Sequence, residues 1–405
     1  VAVAQRLTRL KPAMTFPLYF QWAVSNLFGW GVYGLNLLRH WPDIAGTPAY
    51  TINKVHLDGL RGMDPLALRA LAQPLVDSDQ MMHKLTKGMT SAKDGIVLHS
   101  LGNQFHGATW PRDGGITGRA TFGVIFFEDT NLPNAADIAK DYRLIITGSS
   151  WCEEILRANG VQNVATVIQG IEPSLFHPAP RAGWLKDRFA VFSGGKIEHR
   201  KAQDIVLLAF RAFAARHPEA ILVSAWHSPW SAPALTVNGN PDIAPIALTA
   251  EGQVEMAGWV AANGIAPDQY IDLGPTPNHM MPRVLREMDV ALFPNRCEGG
   301  TNLVAMECMA IGLPVIVSNN TGHKDLVATG GTFPLERQGP VSSALQQTEG
   351  WGESDIDEIV EALELVWSDR EKARRRGQAG AEAMAKWSWR SQIAQLHDVI
   401  VPASC

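Results

Sequence analysis

Short apolar runs of strand length alternate with amphipathic helical stretches for most of the chain. The runs are LYFQWAV, GIVLHS, FGVIFFED, RLIITGS, ATVIQG, FAVFSGG, AILVSAW, YIDLG, VALFP and PVIVSN. Strands apolar at successive positions are covered on both faces, and their alternation with helices predicts parallel sheets in a doubly wound α/β fold. The pattern breaks after Ile171, where EPSLFHPAPRAGW places Pro173, Pro178 and Pro180 in a polar, non-periodic stretch. Proline fixes its own φ and turns the preceding residue away from helix, so this stretch reads as a linker. After a polar segment at 337–354, DIDEIVEALELVW and REKARRRGQAGAEAMAKW return to helical periodicity. The predicted division is a first domain over 1–178, a second over 179–385, and a C-terminal helix over 386–405 that packs back on the first. Two such domains leave a cleft between the carboxyl ends of their strands, where open α/β sheets bind ligands.

The length of 405 residues fits two large domains at roughly 150 residues each. With 46% hydrophobic and 19% charged residues the chain is globular, which excludes a disordered chain, a collagen-like fibre and a coiled coil. A formal charge of -5, from Lys+Arg 35 and Asp+Glu 40, does not describe a protein that binds nucleic acid through charge. Cys152, Cys297, Cys308 and Cys405 form no CxxC pair, the pattern of reduced cytosolic thiols. Residues 16–38 carry no formal charge, but Pro17, Gln21, Asn26, three glycines and Asn36 argue against a spanning helix. A strand, a Gly-punctuated turn and a helix start at GVYGLNLLRHW fit better.

Two segments carry candidate chemistry. In FPNRCEGGTNLVAMECMAIGLPVIVSN, residues 293–319, a strand ends at Pro294, a loop with Gly299 and Gly300 follows, and a helix is predicted over Asn302 to Ile311. The glycines admit close backbone approach, Thr301 or Asn302 can cap the helix, and the amides at its start, through Leu303, suit a phosphate. Glu307 lies about one and a half turns inside that helix, where a carboxylate can accept from two adjacent ribose hydroxyls. In FSGGKIEHRKAQDIVLLAF, residues 192–210, a strand meets Gly194 and Gly195, then Lys196, Arg200 and Lys201. Cations at a glycine turn are sited to clamp a diphosphate and stabilise its charge as it leaves. Each segment also has a plainer reading, as a helix start with a solvated Glu and as a solvated basic turn.

The two segments together, about a hundred residues apart, resemble the donor half of glycosyltransferase family 4, enzymes of GT-B fold with two Rossmann-like domains facing a deep cleft. FGWGVYGLNLL, FFEDTNLP, ITGSSWCEEILRANGV, VIQGIEPSLFHP and KWSWRSQIAQL extend the resemblance almost end to end. It implies that Lys201 contacts the diphosphate and that Lys196 stands where an arginine is usual, which keeps the charge but loses the planar fork. Glu307 matches the second Glu of a Glu-x7-Glu motif and holds the ribose. Counting back by the family spacing lands on Gly299, with Glu298 one residue earlier. Either a bulge returns Glu298 to the donor sugar or the amides of Gly300 to Leu303 replace it. Gly29 and Gly31 resemble a flexible loop near donor phosphate and acceptor. His99 at a strand end, ahead of His106, stands where a family histidine nears the transferred sugar. Glu128 and Asp129 end a strand toward the acceptor.

The resemblance implies a retaining, nucleotide-sugar-dependent glycosyltransferase of carbohydrate biosynthesis, in which Lys196, Lys201 and the helix amides stabilise the departing diphosphate. No metal-ligand cluster appears and no cofactor is called for. The donor is a nucleotide-diphosphate sugar; the acceptor is open among glycans, lipid-linked glycans, small metabolites and proteins. The expected location is cytoplasmic, with peripheral contact at the inner face of a membrane if the acceptor is a lipid, for which Trp22, Trp30 and Trp41 are the one hint. A sugar-nucleotide epimerase of related fold, or a degenerate protein that binds a nucleotide sugar without turning it over, would use the same cleft.

Overall fold

The computed structural model of the protein describes residues 16–105, 115–227, 230–343 and 345–404. In the first half, β1 (Leu18–Phe20), β2 (Ala49–Thr51), β3 (Ile96–Leu101), β4 (Ala120–Ile125), β5 (Ile145–Thr147) and β6 (Val164–Thr166) form one sheet. All its pairings are parallel, in the order β2-β1-β3-β4-β5-β6. Helices α1 (Gly29–Ala45), α2 (Pro65–Thr86), α3 (Ala135–Ala139) and α4 (Ser150–Ala158) connect it. In the second half, β7 (Phe189–Gly194), β8 (Ala220–Ala225), β9 (Tyr270–Asp272), β10 (Val290–Phe293), β11 (Val315–Ser318) and β12 (Phe333–Leu335) form another. It is also parallel throughout, in the order β12-β11-β10-β7-β8-β9. Its helices are α5 (Gln203–Ala214), α6 (Met256–Ala262), α7 (Met281–Leu285), α8 (Leu303–Ala310) and α9 (Lys324–Val327). A two-stranded ladder of β13 (Gln338–Gly339) and β14 (Glu353–Ser354) precedes α10 (Ile356–Ser368), α11 (Arg370–Met384) and α12 (Trp389–Ala403).

The ten apolar runs all become strands. Phe189 and Val191 belong to one apolar cluster and Ala190 and Phe192 to another on the opposite face, so the second sheet is covered on both sides. The first strand stops at Phe20, short of Val24, and β2 and β12 are additional three-residue edge strands. Gly29 and Gly31 do not form a loop: they open α1. A Cβ on Gly31 would lie 2.5 Å from the Ser25 nitrogen, so glycine there serves the close turn from β1 into the helix. Trp22 and Trp41 are buried and Trp30 is half-buried, so the tryptophans build the first core rather than an outward membrane face. Among the described residues no helix is long and apolar enough to cross a membrane, and Cys152, Cys297 and Cys308 are buried free thiols.

The chain crosses between halves twice, side by side. Ile171 bridges Ser388 in parallel, and a Cβ on Gly170 would lie 2.4 Å from the Trp389 nitrogen. Beyond that point α12 lies along α1, with Trp389 stacked on Tyr33 at 5.5 Å.

Strand order reverses between β1 and β3 in the first sheet and between β7 and β10 in the second. Ligands bind outside the carboxyl ends of strands at such switch points. In the second sheet the two flanking loops are tied by Arg296, which follows β10 and is 1% exposed. Its guanidinium meets both oxygens of Asp204, in the first turn of α5, at 2.8 and 2.7 Å, and donates to the His199 carbonyl at 2.7 Å. Burial opposes charge on Asp204, but the hydrogen bonds from Arg296 outweigh it and hold the carboxyl below its ordinary value. Arg296 also meets the half-exposed Glu353 at 2.5 Å, so removing Asp204 leaves the buried guanidinium one of its two carboxylates. Asp204→Ala should therefore cost about 3–5 kcal/mol in denaturant unfolding, whereas a loss under about 1 kcal/mol, the scale of a surface pair, would show that this pair does not hold the loops.

Candidate functional site

A cavity of about 510 Å³ lies at the carboxyl ends of both sheets. The second half contributes Gly195, Lys196, Arg200 and Lys201 after β7, and Glu298, Gly299, Gly300, Asn302, Leu303 and Glu307 after β10. The first half contributes Trp22, Asn26, Phe28, Gly29 and Trp30 after β1, Ser100 of β3, and Phe126 and Glu128 after β4. Gly31 and Thr301 are buried behind this surface.

The helix start forms as the sequence predicts, with Asn302 as the cap of α8. Asn302 adopts φ 66 and its Oδ1 accepts from the Ala305 amide. Its Nδ2 donates to Nε2 of His323 at 3.1 Å, while Nδ1 of His323 donates to the Ser318 hydroxyl at 3.0 Å. Burial lowers the His323 pKa to about 4, so the ring is neutral, as this pair of bonds requires. Gly299 is glycine because the first half touches it: a Cβ there would lie 2.3 Å from the Phe127 carbonyl. The Gly299 carbonyl accepts from Ser149 Oγ at 2.7 Å and from Cys152 Sγ at 2.9 Å. Helix geometry leaves the first amides of α8 without intrahelical acceptors, and both Leu303 and Val304 line the cavity.

The basic segment differs from its expectation in one respect. Read locally, Lys196, Arg200 and Lys201 are an excess of positive charge; in the fold they meet three carboxylates. Arg200 contacts Glu128 at 3.1 Å, Glu198 at 2.7 Å and Glu298 at 3.1 Å. Lys201 pairs with the other oxygen of Glu298, which also accepts from Asn295. Lys196 is the most accessible, 3.6 Å from Glu198 and 5.6 Å from the Trp230 ring centroid. Gly195 adopts φ 119, a conformation side chains rarely take, and its Cβ position lies in ordinary contact with the Lys201 stem at 3.7 Å. Burial favours a neutral Glu298, yet Lys201 and Arg200 outweigh it and hold the carboxyl down at about 2. For Lys201 burial prevails, and its pKa lies below the ordinary lysine value despite the attraction of Glu298.

Glu298 thus lines the cavity with its carboxylate already engaged by cations. Glu307 is the opposite case. It is 7% exposed, among the described residues the one polar partner of its carboxyl is the Asn278 amide at 2.6 Å, and burial raises its pKa to about 8. Glu128 reaches the cavity edge and joins the charge cluster through Arg200.

His99 is not brought to the cavity. Its Nε2 lies 2.9 Å from the Ile116 carbonyl and its Nδ1 3.3 Å from the Tyr142 hydroxyl, and burial lowers its pKa. Strand alternation sends Ser100, rather than His99, to the cavity side. His106 lies outside the described residues. Glu198, Asn278, His323 and the Arg296–Asp204 pair were not legible as site residues. Only Glu198, two positions from Arg200, carried a local signal that could have found it.

Solved structures share this architecture. A sucrose-phosphate synthase from Thermosynechococcus elongatus is 15% identical, with a TM-score of 0.64 over 95% of this chain and 98% of that one. HepE of Anabaena in complex with UDP and glucose is 12% identical, with a TM-score of 0.63 over 96% and 100%. An α,α-trehalose 6-phosphate synthase from Burkholderia multivorans is 13% identical, with a TM-score of 0.58 over 96% and 99%. Likeness at these identities establishes the fold, GT-B with two Rossmann-like domains. No curated protein matches the chain in sequence. Residues 148–396, more than half of the chain and the part that holds Lys196, Lys201, Glu298 and Glu307, match the model described as "Family 4 Glycosyltransferase in conflict systems", and the chain belongs to that family.

Proposed function

We propose that the chain transfers a sugar, with retention at the anomeric carbon, from a nucleotide-diphosphate sugar to an acceptor hydroxyl. The observation that carries this reading is the meeting of Lys201, Arg200 and Glu298 with two glycine turns at one cavity. Similar structures hold chemically matching ligands: HepE was solved with UDP and with UDP-glucose, and an E. coli protein with UDP-2-fluoro glucose.

In this reading the diphosphate lies between Gly195 and the start of α8, with Lys196 and Lys201 as its cations and the Leu303 and Val304 amides as donors. The ribose reaches Glu307, and Asn278 holds that carboxyl from behind. As the bond from the anomeric carbon to the diphosphate oxygen breaks, both electrons leave with the phosphate, and the lysines stabilise the growing charge. The acceptor oxygen attacks on the same face, and its proton passes to the departing oxygen. Glu128 orients the acceptor hydroxyl. Double displacement needs a carboxylate free to attack the sugar, whereas Glu128 and Glu298 both bind Arg200.

Lys201→Ala should lower kcat with the correct donor by about 10²–10³-fold, the scale of losing one preorganised charge donor. A thermal midpoint near that of the parent would separate this loss from misfolding, and parental turnover by the variant would end the proposal. Glu307 supplies a pH test. In the empty cavity its carboxyl is protonated below about 8, and accepting from both ribose hydroxyls requires the ionised form. Binding UDP then expels a proton, so affinity should rise by up to about tenfold per pH unit below the pKa and level off above it. Calorimetry over pH 6.5–9, roughly the interval around that pKa, reads both slope and proton release; Glu307→Gln should flatten the slope, and an unchanged slope would remove Glu307 from the ribose site.

A further inference from the structure

Among the described residues, the wall that the first half gives to the cavity is aromatic and bears no cation. It consists of Trp22, Phe28, Trp30, Val32 and Phe126, with Leu27, 40% exposed, at the rim. Trp30 meets Trp22 at 5.0 Å and Phe126 at 4.7 Å, both edge to face, so the rings fix one another in place. Phe28 meets Trp230 of the other half at 5.7 Å. Among the described lining residues of the first half the one charge is Glu128, and the uncharged polar side chains are Asn26, Ser100 and Gln169. The Asn26 amide nitrogen is already given to the Arg61 carbonyl. The lining cations Lys196, Arg200 and Lys201 all belong to the second half, in the positions the proposed transfer reserves for the donor.

We infer that the acceptor is a neutral alcohol or phenol with an aromatic or alicyclic body, seated on this wall with its hydroxyl toward Glu128. The inference rests on the transferase reading and adds the class of acceptor. A phosphorylated sugar would set its phosphate against ring carbon and a carboxylate, and the cation nearest that carboxylate, Arg200, is already held by three carboxylates. An unmodified sugar would bring several hydroxyls to a surface with few partners for them. A ring or alicyclic body loses water-exposed apolar area and demands nothing further, and the locked aromatic rings lower the entropy cost of receiving it.

Calorimetric titration of the full chain with 2-naphthol, glucose and glucose 6-phosphate tests this directly, with UDP titrated in parallel. The expected result is saturable binding of 2-naphthol at least tenfold tighter than either sugar. Trp30→Ala should weaken it by tenfold or more. Leu27→Arg, on an exposed rim residue, should weaken 2-naphthol and strengthen glucose 6-phosphate, and thermal midpoints check that both variants fold. Protein that binds UDP but not 2-naphthol, or that prefers glucose 6-phosphate, overturns the inference and leaves the transferase reading standing. Protein that binds 2-naphthol but no UDP and no sugar nucleotide overturns the transferase reading, and the acceptor role with it.

Discussion

A guanidinium withdrawn from water persists as an ion only where carboxylates and carbonyls surround it. Arg200, 8% exposed, has that shell: Glu198 and Glu298 from its own half, Glu128 from the other, and the Cys297 carbonyl. Burial works against its charge, but the three carboxylates hold its pKa above the ordinary arginine value. The site's other properties depend on this arrangement. Glu298 is ionised because Arg200 and Lys201 share it, and Lys201 is held at the glycine turn because Glu298 anchors it. Glu128 is the one member that crosses the cleft, so the cluster also records whether the halves are together.

Other contacts across the cleft act in concert with that one. The carboxylate of Asp325 receives the amide and hydroxyl of Ser150 at the start of α4, at 2.8 and 2.5 Å. An anion at a helix N-terminus is favoured by the exposed amides and the dipole. The Gly299 carbonyl is held by Ser149 and Cys152, and Trp351 donates to the Glu128 carbonyl at 2.6 Å. Apolar packing accompanies these polar contacts, since Cys297 and Trp351 join the first-half cluster of Phe127 and Trp151. Opening the cleft would break them together and return Glu128 to solvent. The paired strands of chain at Ile171 and Ser388 lie where the two crossings meet.

Much of this was readable along the chain because its causes are local. A strand buried on both faces must be apolar at successive positions, so most strands declared themselves, whereas β2, flanked by Pro48 and Asn53, and β12, with Pro334 inside it, lie in stretches broken by proline and polar residues. The two glycine turns and the helix start were visible because Gly, Lys and Asn concentrate there. The charge state of the site was not visible, since Arg200 and Glu298 lie 98 positions apart and meet only when β7 and β10 become neighbours. His99 shows the converse: a titratable residue near a strand end looks functional, and only the strand's pleat and Tyr142 reveal it as a satisfied structural group. The family resemblance makes FGWGVYG a flexible loop, whereas the residues themselves read as a turn and a helix start, and Gly31 is there for contact with Ser25 inside a turn that leads straight into helix.

The cavity holds two buried carboxyls whose charge states diverge for one reason. Glu298 and Glu307 lie on the same loop-helix segment and are almost equally excluded from water, at 4% and 7% exposure. Glu298 has two cations and stays ionised down to about 2; Glu307 has an amide and stays protonated up to about 8. Environments that push like groups apart in pKa are how one fold assigns them different roles. A carboxylate already satisfied by Lys201 has little to give a sugar hydroxyl, but it keeps the lysine charged in an interior that would otherwise neutralise it. The neutral carboxyl of Glu307 adds no negative charge to the cavity. One carboxyl is therefore held ionised by its cations, and the other, with the Asn278 amide against it, is held neutral by burial.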